Sequence, residues 1–402
     1  METRIFYGLL LSIFLFQVGC TEPYEIETNG YENVLVVEST ITDELKTHIV
    51  KLSRTSTLDT NAVLFENNAN VQIVASNGEN YYFSQDRDTH FYLSNQKFRA
   101  VPNVSYTLKI KTEDGRSFTS LAVNLTPEVP INELFADKIV DGTNNKNGVE
   151  VLVTTQDPTG NAKYFRYEYE ETYKVVAPNP TSYSYVIENY IGFPLSFDVV
   201  LTPKTTEEIC YSTEYATGIH QIATTDLTDN RVFRFPVKYI SKDDARILTR
   251  YSIWVRQYVQ SEEAYTFYRI LKEMGSVQSL LSPSQPGYVV GNIISEADPN
   301  EKVVGFFEAS SMTSKRIYFN YEDVGLEQPP YFVDCEVVSL DYWDNTEFDN
   351  DPDERSALRT YLMYYKYEIL NVSTTGIYRI VPPECATCTY FSSNIKPDFW
   401  ED

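Results

Sequence analysis

The chain has 402 residues, a formal charge of −24 and 42% apolar residues, which is enough to bury sizeable cores and rules out a disordered polymer. The negative balance repels nucleic-acid phosphates and anionic lipid, arguing against a nucleic-acid partner, and keeps an exposed protein soluble. Thirty-two Tyr and 22 Phe beside only four Met describe a strand-rich, mainly β composition.

The first element is a leader. Met1–Arg4 is short and polar with one basic side chain, and it is followed by an apolar run from Ile5 to Phe16. About a dozen apolar residues are too few to span ~30 Å of hydrocarbon but suit the apolar region of a signal peptide. Gln17-Val18-Gly19-Cys20 then places a small residue directly before a cysteine, as a lipobox requires, although Gln17 stands where Leu is usual. Residues 1–19 therefore read as a lipoprotein signal peptide and Cys20 as the lipidation site. Acyl chains at ~0.8 kcal/mol per buried CH₂ would anchor the protein stably. No later stretch stays apolar for the ~18 residues that a spanning helix needs. Glu2 and Arg4 cancel, so the mature chain keeps the full charge. Residues 20–32 hold four Glu and no basic residue, and read as an acidic tether that lifts the body off the membrane.

Residues 33–128 are expected to form an immunoglobulin-like β-sandwich. Val34–Ile41 reads as a buried strand and His48–Ser53 as a half-buried one. Val71–Val74 leads through Asn77-Gly78, a type I′ hairpin signal, to Tyr81–Phe83. Tyr106–Lys111 has clean period two, and Asp114-Gly115 turns it into Ser117–Ser120. The stretch Pro127–Pro130 marks a boundary, after which residues 129–402 form a larger β-rich domain. Its strands are expected at 149–154, 164–173, 183–187, 232–239, 250–259, 288–294, 302–308 and 315–320. One amphipathic helix is expected near 261–274, with Ser261 as cap, Glu262 and Glu263 against the dipole, Ala264, Phe267 or Tyr268, Leu271 and Met274 on one face, and Gly275 as the stop.

Few groups carry obvious chemistry. His48, His90 and His220 have no second His or Cys at ligand spacing, and no nucleophile-elbow, zincin, phosphate-loop or dinucleotide pattern occurs. No enzyme activity, cofactor or metal is expected; a hydrolase using Asp/Glu pairs from distant loops is the rival reading. Four cysteines follow Cys20, namely Cys210, Cys335, Cys385 and Cys388. Disulfides are the leading reading for an exported chain, with three connectivities open, ahead of a Cys₄ zinc site or a redox pair at Cys385–Cys388. Asp349, Asp351 and Asp353 have calcium-loop spacing, but Glu354 stands where the loop needs Gly and Thr360 where it needs Glu, so a solvated loop is the expectation. Tyr167, Tyr169 and Tyr173 share one strand face and are candidates for a ligand-stacking platform, with core packing as the default.

Several pieces together resemble the Bacteroidetes lipoprotein family known as domain of unknown function 4249. They are the lipobox at Cys20, VLVVES from Val34, RYSIWVRQYVQSEEAYTFYRILKE from Arg250, GNIISE from Gly291, VVGFFEASSMTSKRIYF from Val303, and the tail PPECATC…KPDFW ending at Trp400. The resemblance implies an outer-membrane, surface-exposed lipoprotein that cooperates with a SusC-type TonB-dependent receptor in nutrient capture. It would take the place of SusD, whose helical-repeat fold this sequence does not share. With only Trp254, Trp343 and Trp400 available, a tryptophan-rich sugar site does not carry over, and the family offers no catalytic residues to assign. A structural cell-envelope or adhesion protein is the third reading.

Overall fold

A computed structural model describes residues 33–55, 63–142, 146–191, 196–227, 229–276, 289–342 and 356–402. The expected signal peptide, Cys20, the tether, Trp343 and the triad Asp349, Asp351 and Asp353 lie outside them.

The N-terminal body starts with β1 (Leu35–Thr42), β2 (Ile49–Arg54), β3 (Leu64–Phe65), β4 (Asn70–Ala75) and β5 (Asn80–Gln85). It continues through β6 (Tyr92–Ser94), β7 (Ser105–Lys111), β8 (Ser117–Ser120) and β9 (Val123–Asn124). Alternation drives the strands: Leu35, Val37 and Ile41 of β1 point inward and are at most 1% exposed. Each such side chain contributes about 1.5–3 kcal/mol by leaving water. The turns differ in detail from the expectation. Gly78 has φ +93° while Asn77 keeps negative φ, and Gly78 N–H donates to Ala75 C=O at 3.0 Å. That is a type I turn, Ala75–Gly78, closed by a left-handed glycine, because neither of its central residues, Ser76 and Asn77, has positive φ.

Next in the chain come β10 (Ile131–Asp141), β11 (Lys146–Gln156), β12 (Tyr164–Val176), β13 (Tyr183–Ile191) and β14 (Ser196–Pro203). After them run β15 (Ile209–Tyr215), β16 (His220–Ala223), β17 (Arg231–Ser241), β18 (Tyr251–Gln260) and the helix α1 (Glu262–Ser276). The remainder holds β19 (Ile293–Ser295), β20 (Val303–Ser310), β21 (Met312–Phe319), β22 (Val338–Leu340), α2 (Ala357–Met363), β23 (Glu368–Val372) and β24 (Tyr378–Val381). No helix among the described residues is long and apolar enough to cross a membrane.

The N-terminal sheet is not confined to residues 33–128. It runs β19-β8-β7-β4-β5-β6-β2-β1-β20, so two strands from beyond position 290 complete it. β20 lies parallel to β1, from Leu35 opposite Val303 to Thr42 opposite Ser310. The immunoglobulin-like sandwich expected for 33–128 is not confirmed, and the sheet and its core draw in β19 and β20 from outside that span. The reason is that β1 is an inner strand whose free edge must be paired, and the partner lies some 270 residues away in the chain, which no local pattern reveals.

Two glycines and an asparagine close the seam. Gly305 adopts φ +143°, and a Cβ there would stand 2.1 Å from Val37 O. A Cβ on Gly291 would stand 1.6 Å from Gly305 O, so backbone crosses backbone where no side chain fits. Beside them the buried Asn292 amide mimics a peptide group: Nδ2 donates to Phe307 C=O and Oδ1 accepts from Phe307 N–H, both at 2.8 Å.

The second body is a sandwich. The sheet β10-β11-β17 packs on β15-β12-β18-β21, which also carries β16, around Val149, Val151, Phe165, Tyr167, Ile253 and Val255. A smaller layer follows, in which the β13-β14 hairpin, the β22-β24-β23 sheet and α2 surround Phe197, Leu358, Leu362, Ile369 and Ile380. The helix at 261–274 appears as α1, with Ser261 Oγ accepting from Ala264 N–H at 3.2 Å. Ala264, Phe267, Tyr268, Leu271 and Met274 form its packed face, against Phe306 and Val289. The helix runs through Gly275 to Ser276, so Gly275 sits in the last turn rather than beyond it.

Candidate functional site

The seam where β18 passes into α1 and β20 passes under it holds a half-open cavity of about 360 Å³. Leu121, Val123 and Phe306 supply apolar wall, while Ser261, Glu263, Glu308 and Ser310 supply polar groups. Leu121 and Glu263 are exposed at the rim, whereas Glu308 and Ser310 are buried.

Under the floor, Arg166 is buried and reaches both flanking carboxylates. Its Nη2 donates to Glu308 Oε1 at 2.7 Å and its Nη1 donates to Glu168. Thr40 Oγ1 donates to the same Glu308 Oε1 at 3.0 Å. The rings of Tyr258 and Tyr268 lie 4.5 and 5.0 Å from the guanidinium, a cation–π cage. Burial opposes charge on Arg166, but Glu308, aided by Glu168, outweighs it and holds the guanidinium above its ordinary value. For Glu168, burial pushes its pKa up, yet Arg166 and Arg256 prevail and hold it below the usual carboxylate range. The phenols of Tyr258 and Tyr268 are pushed up mainly by burial, with Glu168 and Glu308 adding to it respectively. This network pins β12, β18 and α1 to β20, and thus the two bodies together.

A second buried carboxylate, Glu171, accepts from Lys238 Nζ at 2.7 Å, from Arg246 Nη1 at 3.2 Å and from the Tyr251 hydroxyl. Burial, reinforced by Glu171, pushes the Tyr251 phenol far up. The tyrosines weighed as a platform, with core packing as the default, lie in this same core. Tyr167, Tyr169 and Tyr173 are 0, 8 and 7% exposed, and Tyr167 stacks on Phe235 with its hydroxyl donating to Gln257 Oε1 at 3.1 Å. They offer no open stacking surface, because that face of β12 meets the opposing sheet of the sandwich.

The four cysteines form two disulfides, Cys210–Cys388 and Cys335–Cys385. Cys385 and Cys388 therefore bind different partners, which leaves neither a redox pair nor a Cys₄ thiolate set. The cross-links tie β15 and the segment before β22 to the C-terminal turn. No group of three or more His, Cys, Asp or Glu suited to a metal occurs among the described residues.

Sequence reasoning missed Asn292, Arg166 and Glu308 as the centre of the seam. One signal existed: Glu308 is a lone carboxylate inside the apolar strand VVGFFEAS, and a charge placed there requires a buried partner.

No curated protein matches the chain. Among matching solved structures is the crystal structure of a DUF4785 family protein from Legionella pneumophila subsp. pneumophila str. Philadelphia 1, at 11% identity and a TM-score of 0.18. The match covers 56% of this chain and 51% of that one, about half the length of that structure, and so weak an overlap adds nothing to the account of the fold. A family model described as Domain of unknown function (DUF4249) matches residues 21–316, well over half of the sequence. On that match the chain belongs to the DUF4249 family.

Proposed function

We propose that this protein is a lipid-anchored, surface-exposed outer-membrane lipoprotein that acts, without catalysis, as an accessory or ligand-binding subunit of a TonB-dependent uptake system. The observation that carries the reading is the N-terminus: an apolar run of signal-peptide length, Gly19-Cys20 at its end, and an acidic tether before the first strand. The two disulfides support export into an oxidising compartment. The buried carboxylates Glu171 and Glu308 are each held by cations, which supports a structural rather than a proton-transfer role for them. The partner is a SusC-like TonB-dependent receptor, to which the body is presented at tether length from the bilayer.

Extraction of native membranes in mild detergent, followed by affinity purification, tests the partnership. A β-barrel receptor should co-purify in near-stoichiometric amount. Recovery of a free monomer alone would count decisively against it. Protease shaving of intact cells should remove the folded body if it faces outward.

A further inference from the structure

We propose that the cavity over β20 binds a small organic cation, a primary ammonium carried on a short hydrocarbon skeleton. This names the cargo class of the binding role proposed above and rests on that reading only in treating the protein as a binder. The volume, about 360 Å³, falls within the range of small-molecule sites. Its lining contains carboxylates at rim and floor, Glu263 and Glu308, and no Lys or Arg.

The floor has more acceptor capacity than donors to fill it. Glu308 Oε1 is used by Arg166 and Thr40, but Oε2 receives only Gln260 Nε2 at 3.4 Å. Ser310 Oγ, in a buried residue of the lining, has no hydrogen-bond partner, and neither does Gln260 Oε1, which lies beside Glu308 but outside the lining. Unpaired buried acceptors are costly, and an ammonium brings three donors and no acceptor. Arg166 is shared by Glu308 and Glu168 and Arg256 also faces Glu168, so the charges under the floor balance and the surplus negative charge at the cavity is that of Glu263. Phe306, Leu121 and Val123 give the hydrocarbon part of the ligand an apolar wall.

Isothermal titration calorimetry of the purified full chain with n-butylammonium, n-butanol and butyrate tests the assignment, and its outcome does not depend on anchoring or on any receptor. Butylammonium should bind at least about tenfold more tightly than butanol, in line with a charge-assisted contact, and butyrate should not bind. From ethyl- to butylammonium, affinity should rise about fourfold per methylene. Glu308→Gln should abolish binding, but it also strands Arg166 and so tests folding as well. Glu263→Gln changes only an exposed rim charge and should weaken binding about two- to fivefold. Absence of heat with every amine, equal binding of butanol or butyrate, or amine affinity unchanged in Glu263→Gln would overturn the proposal.

Discussion

Replacing Asn292 by alanine probes the device that joins the start of β19 to β20. The side chain makes two 2.8 Å bonds to the N–H and C=O of Phe307, a residue that is itself 0% exposed. Alanine leaves both main-chain groups without that partner, in a place where the crossing of Gly291 over Gly305 leaves no room for repacking. An orphaned buried polar group costs about 1–3 kcal/mol, so the pair predicts a loss of about 2–6 kcal/mol. Asn292→Asp should cost at least as much, because it sets a carboxylate against the Phe307 carbonyl. Urea unfolding should show a lower midpoint with an unchanged slope, and hydrogen exchange at the Phe307 amide should accelerate while strands of the second body keep their protection. A loss below about 0.5 kcal/mol, or an unaltered Phe307 amide, would refute the claim that this amide holds the seam.

Three further outcomes follow from the described contacts. Arg166→Ala leaves the buried Glu308 without its cation, while the partly exposed Glu168 keeps Arg256, and should cost about 3–5 kcal/mol by urea unfolding, whereas Arg166→Met combined with Glu308→Leu should recover much of the loss. Replacing both Cys210 and Cys388 by serine opens a cross-link spanning 178 residues and should lower stability by up to about 5 kcal/mol, with a matching fall in thermal midpoint. Burial, helped by Lys46, lowers the pKa of His48 from 6.5 to about 4, while its Nε2 is bonded to Phe98 C=O at 3.0 Å. Because the unfolded chain takes up the proton first, this stabilisation is complete above pH 6.5 and is lost as pH falls toward 4, about 3 kcal/mol in all. The stability difference between wild type and His48→Gln should shrink over that window; a pH-independent difference would contradict it.

Local pattern made much of the fold readable. β12, β17, β18 and α1 fall where strand-forming aromatic and β-branched residues and the Ser261 cap put them, although β18 is buried on both faces over most of its length. β10 went unread: after Leu134 its residues alternate between intermediate and exposed environments, so its apolar signal fades. The expected strand at 288–294 narrows to Ile293–Ser295, since Gly291 and Asn292 are committed to the seam instead. The parallel pairing of β1 with β20, and the joining of Glu308 to Arg166, depend on contacts between distant segments and leave no periodic trace. The tyrosines at 167, 169 and 173 are buried in the sandwich core, as the default reading of their shared strand face has them.

The proposed function requires that the folded β-rich body be held at a bilayer through its twentieth residue. Intact-mass and N-terminal peptide mass spectrometry of the protein purified from native membranes tests this most directly. The mature chain should begin at Cys20 and carry a thioether-linked diacylglyceryl group. A mature N-terminus at any other residue, or an unmodified Cys20, would contradict it.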